Sequence, residues 1–143
     1  MKKDVTINIR GVYSYENEES DVIEMFTTGE YYRKGDSYYI SYLESEATGF
    51  DGARTTLKVE NQSSVTLSRT GKEMTQLIVQ NGVRHQCNYD VGFGNMMIGV
   101  SGQTIRSTLT DDGGRLEFKY SLDINSLLAS ENEMLIVVQA EHQ

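Results

Sequence analysis

Four polar side chains in the first half of the chain have the types and spacing of a binding site inside an apolar cavity. They are Tyr42, Glu44, Glu46 and Arg69. Apolar residues recur at every second position in the segments 38–46 and 65–69, and residues two apart on a β-strand point to the same face. If that face is the inner one, an arginine, two glutamates and a tyrosine meet at one end of a barrel.

Two interpretations of this group remain open. A charge that is removed from water must be paired, so Arg69 and a glutamate can form an internal ion pair with a purely structural role. Alternatively, Arg69 and Tyr42 hold the polar head of a small amphiphile whose tail lies in an apolar lumen, since barrels of this size can enclose one small ligand.

Catalytic chemistry has weaker support. Glu44 and Glu46 have a spacing compatible with acid–base catalysis, although alternate glutamates on a strand commonly form a solvated row. His85 and Cys87 also share a strand face, but a reactive thiol needs an electropositive setting, which the sequence does not indicate. A lone cysteine on an apolar face is usually an inert core residue. We therefore assign no catalytic residue.

Metal ions and cofactors are not predicted. Two histidines and one cysteine cannot form a tetrahedral zinc site without several carboxylates. The glycine-rich stretch 92–95 lacks the Gly-Lys-Ser/Thr of a phosphate-binding loop and precedes a strand pattern. We expect a turn or bulge there.

Charge and cysteine content narrow the partners and the compartment. The chain has 143 residues, with 21 acidic against 13 basic ones, and its net charge of −8 disfavours nucleic acid. Its single cysteine, Cys87, allows no internal disulfide and fits a reducing compartment. Segment 4–9 alternates polar and apolar residues, unlike a signal peptide, and no window approaches the ~18 apolar residues of a membrane span. We expect a cytoplasmic protein with no membrane partner.

Alternation with a period of two dominates the sequence and predicts an all-β protein. The clearest segment is 115–124, where apolar and polar residues alternate throughout. Similar alternation occurs in the segments 5–13, 22–32, 37–46, 55–60, 64–69, 74–79, 84–89, 96–109 and 134–138. Short turn signals such as Asn81-Gly82 separate these segments. We expect about ten strands, with one short helical turn over 125–132 before the last strand.

Closure of these strands into a barrel is the expected architecture. Hairpin connections make consecutive strands neighbours, accumulated twist curls the sheet, and closure removes its open edges. Proline is absent from the sequence, which suits strands that are hydrogen-bonded on both sides. We predict one domain over residues 1–143, a single closed antiparallel up-and-down barrel, with a two-sheet sandwich as the alternative.

Several short motifs, in order along the chain, resemble those of a known family. They are Thr28-Gly29-Glu30-Tyr31-Tyr32, Ile40-Ser41-Tyr42, Glu44-Ser45-Glu46, Thr48-Gly49, Thr55-Thr56-Leu57-Lys58 and Arg69-Thr70-Gly71. The sequence resembles the YwiB-like family, a group of small bacterial proteins with a domain of unknown function and a calycin-like, or lipocalin-like, barrel. The resemblance implies a closed calycin-type barrel in a cytoplasmic bacterial protein, and it implies no activity.

Three functional hypotheses follow. The first is a non-enzymatic barrel that binds a small, partly apolar ligand, which requires an internal cavity of roughly 300 Å³ or more. The second is an interaction or assembly module with a filled core, which associates, for example with its own copies, through exposed aromatic residues such as Tyr31, Tyr39 or Phe50. The third is an enzyme that uses Glu44 or Glu46.

Overall fold

Ten antiparallel strands make up the architecture. The computed structural model describes residues 2–15, 19–44, 52–71, 75–90, 95–125 and 127–140, with the backbone alone at 88–90 and 95–96. The strands are β1 Lys3–Ser14, β2 Asp21–Lys34, β3 Ser37–Leu43, β4 Arg54–Glu60, β5 Ser64–Thr70, β6 Thr75–Gln80, β7 Arg84–Asp90, β8 Asn95–Ser107, β9 Gly113–Ile124 and β10 Leu127–Ala140.

The strands close into a barrel in sequence order. Each strand pairs with the next, and β1 pairs with both β2 and β10. Tight turns connect consecutive strands. One of them contains Gly82, whose φ of 74° is accessible to glycine at little cost. The predicted antiparallel up-and-down barrel of about ten strands is confirmed, and the sandwich alternative is not adopted.

The helical turn expected over 125–132 is corrected by the structure. Residues 127–132 are the beginning of β10, and Leu127 pairs with Ile124 across a hairpin. Asn125 makes the turn with a φ of 53°, a conformation that asparagine tolerates. The register shifts between Leu128 and Ser130, so a bulge interrupts the alternation that would have indicated a strand.

One end of the barrel, here called the filled end, is packed solidly. Rows of aliphatic side chains from all around the wall are fully buried there, including Val5, Ile7, Ile40, Val59, Val65, Leu116, Ile136 and Val138. The turn at 110–113 lies against Tyr31, whose hydroxyl donates to the Thr110 carbonyl at 2.7 Å. Lys3 Nζ donates to the Asp111 carbonyl at 2.6 Å. These contacts close the filled end.

The wall is least continuous between β6 and β7. Among the described residues these strands form one ladder pair, Thr75 with Tyr89, and one isolated bridge, Gln80 with Val83. The two pairings are offset by one residue, so a regular ladder cannot run between them. A side-chain contact of 2.7 Å between His85 Nε2 and Gln80 Oε1 supplements this junction.

The described part of the chain contains no helix with the length and apolar character needed to cross a bilayer.

Candidate functional site

The opposite end of the barrel, here called the cavity end, encloses a cavity of about 450 Å³. Much of its lining is aliphatic or thioether, including Ile9, Met25, Leu67, Leu77, Leu122 and Met134. The size falls in the range of small-molecule sites. The lumen is therefore open at this end, although the same strands fill it at the other.

The cavity begins where the inward-facing residues change along three neighbouring strands. Ile9, Ile136 and Leu116 form one filled row across β1, β10 and β9. In the next row β1 contributes Gly11, and the ring of Tyr13 lies over it, so that a Cβ there would be 2.9 Å from the Tyr13 hydroxyl oxygen. The Tyr13 ring and Met134 Sδ, which would lie 3.1 Å from a Cβ at Gly11, occupy the position of the missing side chain, and the cavity lies beyond them.

Tyr13, Asn132 and Tyr120 form the following row, at the level of the cavity. Asn132 pairs with Tyr13 on one side and with Tyr120 on the other, so the three residues lie side by side. Asn132 is buried and its amide nitrogen donates to Ser130 Oγ at 3.2 Å. The Tyr13 hydroxyl donates to Met134 Sδ at 3.5 Å. This wall offers hydrogen-bonding groups that have no net charge.

A second polar cluster lies on β3, β4, β5 and the residue after β3. Arg69 Nη2 is 3.4 Å from Glu44 Oε1, and the two side chains are 16% and 2% exposed. Thr55 donates its hydroxyl to Glu44 Oε1 at 2.6 Å and accepts from Arg69 Nε at 3.2 Å. One positive and one negative charge thus neutralise each other within a bonded triangle.

Tyr42 completes this cluster. Burial raises the pKa of its phenol well above the ordinary value, and the nearby Glu44 carboxylate raises it further, both by its charge and by accepting a hydrogen bond from Tyr42. The phenol is therefore a neutral donor at physiological pH.

The structure brings together three of the four residues that the sequence singled out. Tyr42, Glu44 and Arg69 all line the cavity. Glu46 lies outside the described residues, so the proposed use of both glutamates stays a prediction. The internal ion pair and the cavity, which were alternatives from the sequence, occur side by side.

The prediction of an exposed aromatic row, made for an assembly module, is partly wrong. Tyr31 is buried, with 1% of its surface exposed, and stacks on Tyr38 with ring centroids 5.5 Å apart. Tyr39 is half-buried and stacks on Tyr32. Phe50 lies outside the described residues. Both alternation phases of β2 contain apolar residues, so the sequence alone does not fix which one faces inward.

Three residues of the site were missed by the sequence reasoning. Thr55 bridges Glu44 and Arg69, and Asn132 and Ser130 belong to the segment that was expected to be helical. A signal was available, since Asn132 shares the alternation phase of Met134, Ile136 and Val138. Extending that phase backward by one step would have placed it inward.

The structure does not support a catalytic role for Cys87 or a metal site among the described residues. Cys87 is a buried free thiol in the apolar core, as expected for a structural cysteine. Among the described residues, no three histidine, cysteine or acidic side chains are grouped closely enough to hold a metal ion.

Comparison with known proteins identifies the family of this chain. The sequence matches the model of the family described as Domain of unknown function (DUF1934) over residues 7–136. The chain belongs to this family. A curated relative of the DUF1934 chain is the uncharacterized beta-barrel protein YwiB of Bacillus subtilis (strain 168), which is 30% identical over 121 residues. The match covers 84% of the chain and 82% of that protein.

A solved structure shows the same fold. The crystal structure of ywiB protein from Bacillus subtilis is similar to the DUF1934 chain with a TM-score of 0.86 and 24% identity. The alignment covers 99% of this chain and 94% of that one. The resemblance expected from the sequence motifs is thus confirmed, and no function is assigned with it. A function for the DUF1934 chain has to be argued from its own cavity.

Proposed function

We propose that this DUF1934 chain is a non-enzymatic barrel that binds one small, partly apolar ligand in its lumen. The observation that supports the proposal is the cavity of about 450 Å³, which exceeds the roughly 300 Å³ that a ligand site generally requires. Tyr42, Glu44 and Arg69 are its polar contacts, with Glu46 as a further candidate.

The lining favours a ligand with an apolar body and a small polar head. Leu67, Leu77 and Leu122 offer apolar surface, and covering this surface with the apolar part of a ligand lowers the free energy. The two polar groups, around Glu44 and around Asn132, offer a few placed hydrogen bonds, which orient a ligand in such pockets.

The proposal includes a cytoplasmic setting and a calycin-type relationship. The single cysteine is buried and unpaired by a disulfide, which suits a reducing compartment. The up-and-down order of the ten strands is the order expected of a calycin-like barrel.

The test is to fill the cavity and measure binding of a neutral fluorescent dye, N-phenyl-1-naphthylamine. Leu67→Trp inserts a large ring into the cavity, while Thr66→Trp places the same ring on the outer face of the same strand. We expect dye binding to wild type and to Thr66→Trp, and at least tenfold weaker binding to Leu67→Trp. Native mass spectrometry of protein purified from its own cells is expected to show one bound small molecule.

Comparing the two tryptophan variants distinguishes dye binding in the lumen from dye binding on the outer surface. Equal dye binding by both tryptophan variants would place the dye on the outer surface and contradict lumenal binding. Absence of dye binding to wild type, together with ligand-free native mass spectra, would contradict the proposal as a whole.

A second candidate function is self-association through the outer face of β1, β2 and β10. Phe26 is 66% exposed and lines an outer groove with Leu135 and Val137. A second copy of the chain would cover these apolar groups. Light scattering would then show a dimer that Phe26→Ser converts to a monomer, and a wild-type monomer at high concentration would exclude this candidate.

A further inference from the structure

We infer that the polar head of the lumenal ligand is uncharged, such as a hydroxyl, an amide or an ester carbonyl, and is neither a carboxylate nor an ammonium group. The inference rests on the proposed function, since it concerns a ligand in the same cavity. The charges of the side chains that face this cavity determine which ligand head it accepts.

An anionic head is disfavoured because the arginine of the cavity already has its carboxylate. Arg69 is bonded to Glu44 and Thr55. A ligand carboxylate on the guanidinium would have to displace Glu44, whose side chain is only 2% exposed. The displaced carboxylate would remain away from water without its partner, which is a large penalty for a buried charge. The alternative is two carboxylates beside one guanidinium, which repel each other.

A cationic head is disfavoured by the same pairing. Glu44 accepts hydrogen bonds from Thr55 and Tyr42 in addition to its contact with Arg69. An ammonium group that approached Glu44 would come close to the Arg69 guanidinium in a site of low dielectric. Asp21 also lines the cavity, but it is exposed, so water and salt screen its charge.

A neutral head fits the groups on the opposite wall. Tyr13, Tyr120, Asn132 and Ser130 all line the cavity and carry no charge. Hydroxyl and amide groups can donate and accept, so a neutral ligand can exchange hydrogen bonds with them without separating an ion pair. The apolar lining beneath then holds the rest of the ligand.

The experiment compares three probes that share one alkyl chain and differ in the charge of the head. Octanol, octanoate and octylammonium compete at pH 7 with N-phenyl-1-naphthylamine on the wild-type protein. We expect octanol to displace the dye at a concentration at least tenfold lower than either charged probe.

A variant of the ion pair gives a second readout. Glu44→Gln removes the negative charge and leaves the guanidinium to a ligand, so octanoate is expected to gain at least tenfold over octanol relative to wild type. Glu30→Gln is the matched control, because Glu30 lies near Arg54 on the outer face, with 3.8 Å between Oε1 and Nη1. It is expected to leave the order of the probes unchanged.

The outcomes separate the inference from the proposed function. If the dye binds in the lumen but octanoate or octylammonium competes as well as octanol, the uncharged head is wrong and lumenal binding stands. If neither dye nor probes bind, the proposed function fails and the inference fails with it. If Glu44→Gln does not fold, the wild-type order of the three probes still decides.

Discussion

The filled end and the cavity end are built from the same strands, yet one is solid and the other holds a cavity. On β9, Leu116 packs at the filled end with no exposed surface, while Leu122 lines the cavity. On β10, Ile136 and Asn132 differ in the same way. Alternation points all four side chains inward, and because Leu116 and Leu122 are identical, the difference lies in the side chains that surround each residue at its level of the lumen.

Polar groups at the two ends are also satisfied differently. At the filled end, Tyr31 donates to a backbone carbonyl of a turn that closes the barrel. At the cavity end, Tyr42 donates to Glu44, which is held by Arg69 and Thr55. The first arrangement belongs to the tightly packed filled end. The second holds charged and polar side chains at the edge of the cavity.

Two leucine truncations on one strand compare the packing of the two ends. Leu116→Ala removes packed atoms from the filled end and is expected to lower the free energy of unfolding by about 3 kcal/mol. Leu122→Ala enlarges an existing cavity and is expected to cost about 1 kcal/mol. Urea unfolding of both variants measures the difference, and equal losses would show that the two ends are packed alike.

Breaking the ion pair tests whether the cavity end depends on it. Arg69→Met leaves Glu44 buried without its partner and is expected to destabilise the protein by about 3 kcal/mol. The double variant Arg69→Met with Glu44→Gln removes both charges and is expected to recover more than half of that loss.

The control for this pair is Arg54→Met. Arg54 lies on the outer face near Glu30 and its side chain is 44% exposed, so its loss is expected to cost less than about 1 kcal/mol. A double variant as unstable as Arg69→Met alone would mean that packing of Arg69, and not its charge, stabilises this end.

Alkaline unfolding probes one tyrosine at each end. Burial raises the pKa of Tyr31 and of Tyr42 above the ordinary value of 10.0, with the charges of Tyr38 and Asp111 adding to the first and that of Glu44 to the second. A raised folded-state pKa gives stability that is complete below pH 10 and is lost as the pH rises above it. The loss is up to about 1.4 kcal/mol per pH unit for each tyrosine.

Tyr31→Phe and Tyr42→Phe should each flatten this dependence. Urea unfolding between pH 8 and pH 11 is expected to show a shallower decline in each single variant and the shallowest in the double variant. A decline as steep in the double variant as in wild type would assign the alkaline loss to other groups.

The smallest expected effect is that of the Tyr31 hydroxyl at neutral pH. Tyr31→Phe loses its hydrogen bond to Thr110 and is expected to cost about 1 kcal/mol. Tyr32→Phe, on the outer face of the same strand, is expected to change stability by less than half as much. Similar denaturation midpoints for the two variants would argue that the turn at 110–113 does not depend on Tyr31.

Local periodicity was sufficient to predict most of the fold. The alternation in 115–124 appears as β9, and Asn81-Gly82 lies in the turn between β6 and β7. The prediction failed at 127–132, because the bulge near Ala129 shifts the alternation by one residue and the leucines there also suit a helix. It failed at Tyr31 because β2 has apolar residues in both phases, and the pairing with β1 decides which one is buried.

The candidate site was predictable only in part. The shared phase of Glu44 with Ile40 and of Arg69 with Val65 indicated that both charges point inward, and they form an ion pair there. Thr55 shares the alternation phase of Leu57, and Asn132 shares that of Ile136, but this local signal does not show which groups either side chain bonds to. Their roles depend on neighbours that are distant in sequence.

The sequence by itself determined the number of strands, their order and most of the side chains that point inward, because a period of two and a turn residue act within a few positions. Only the tertiary structure decided where along the lumen each inward residue lies. Closure of β1 onto both β2 and β10 fixes the register of the whole wall. That register places the row of Tyr13, Asn132 and Tyr120 at the level of a cavity that Tyr42, Glu44 and Arg69 also line.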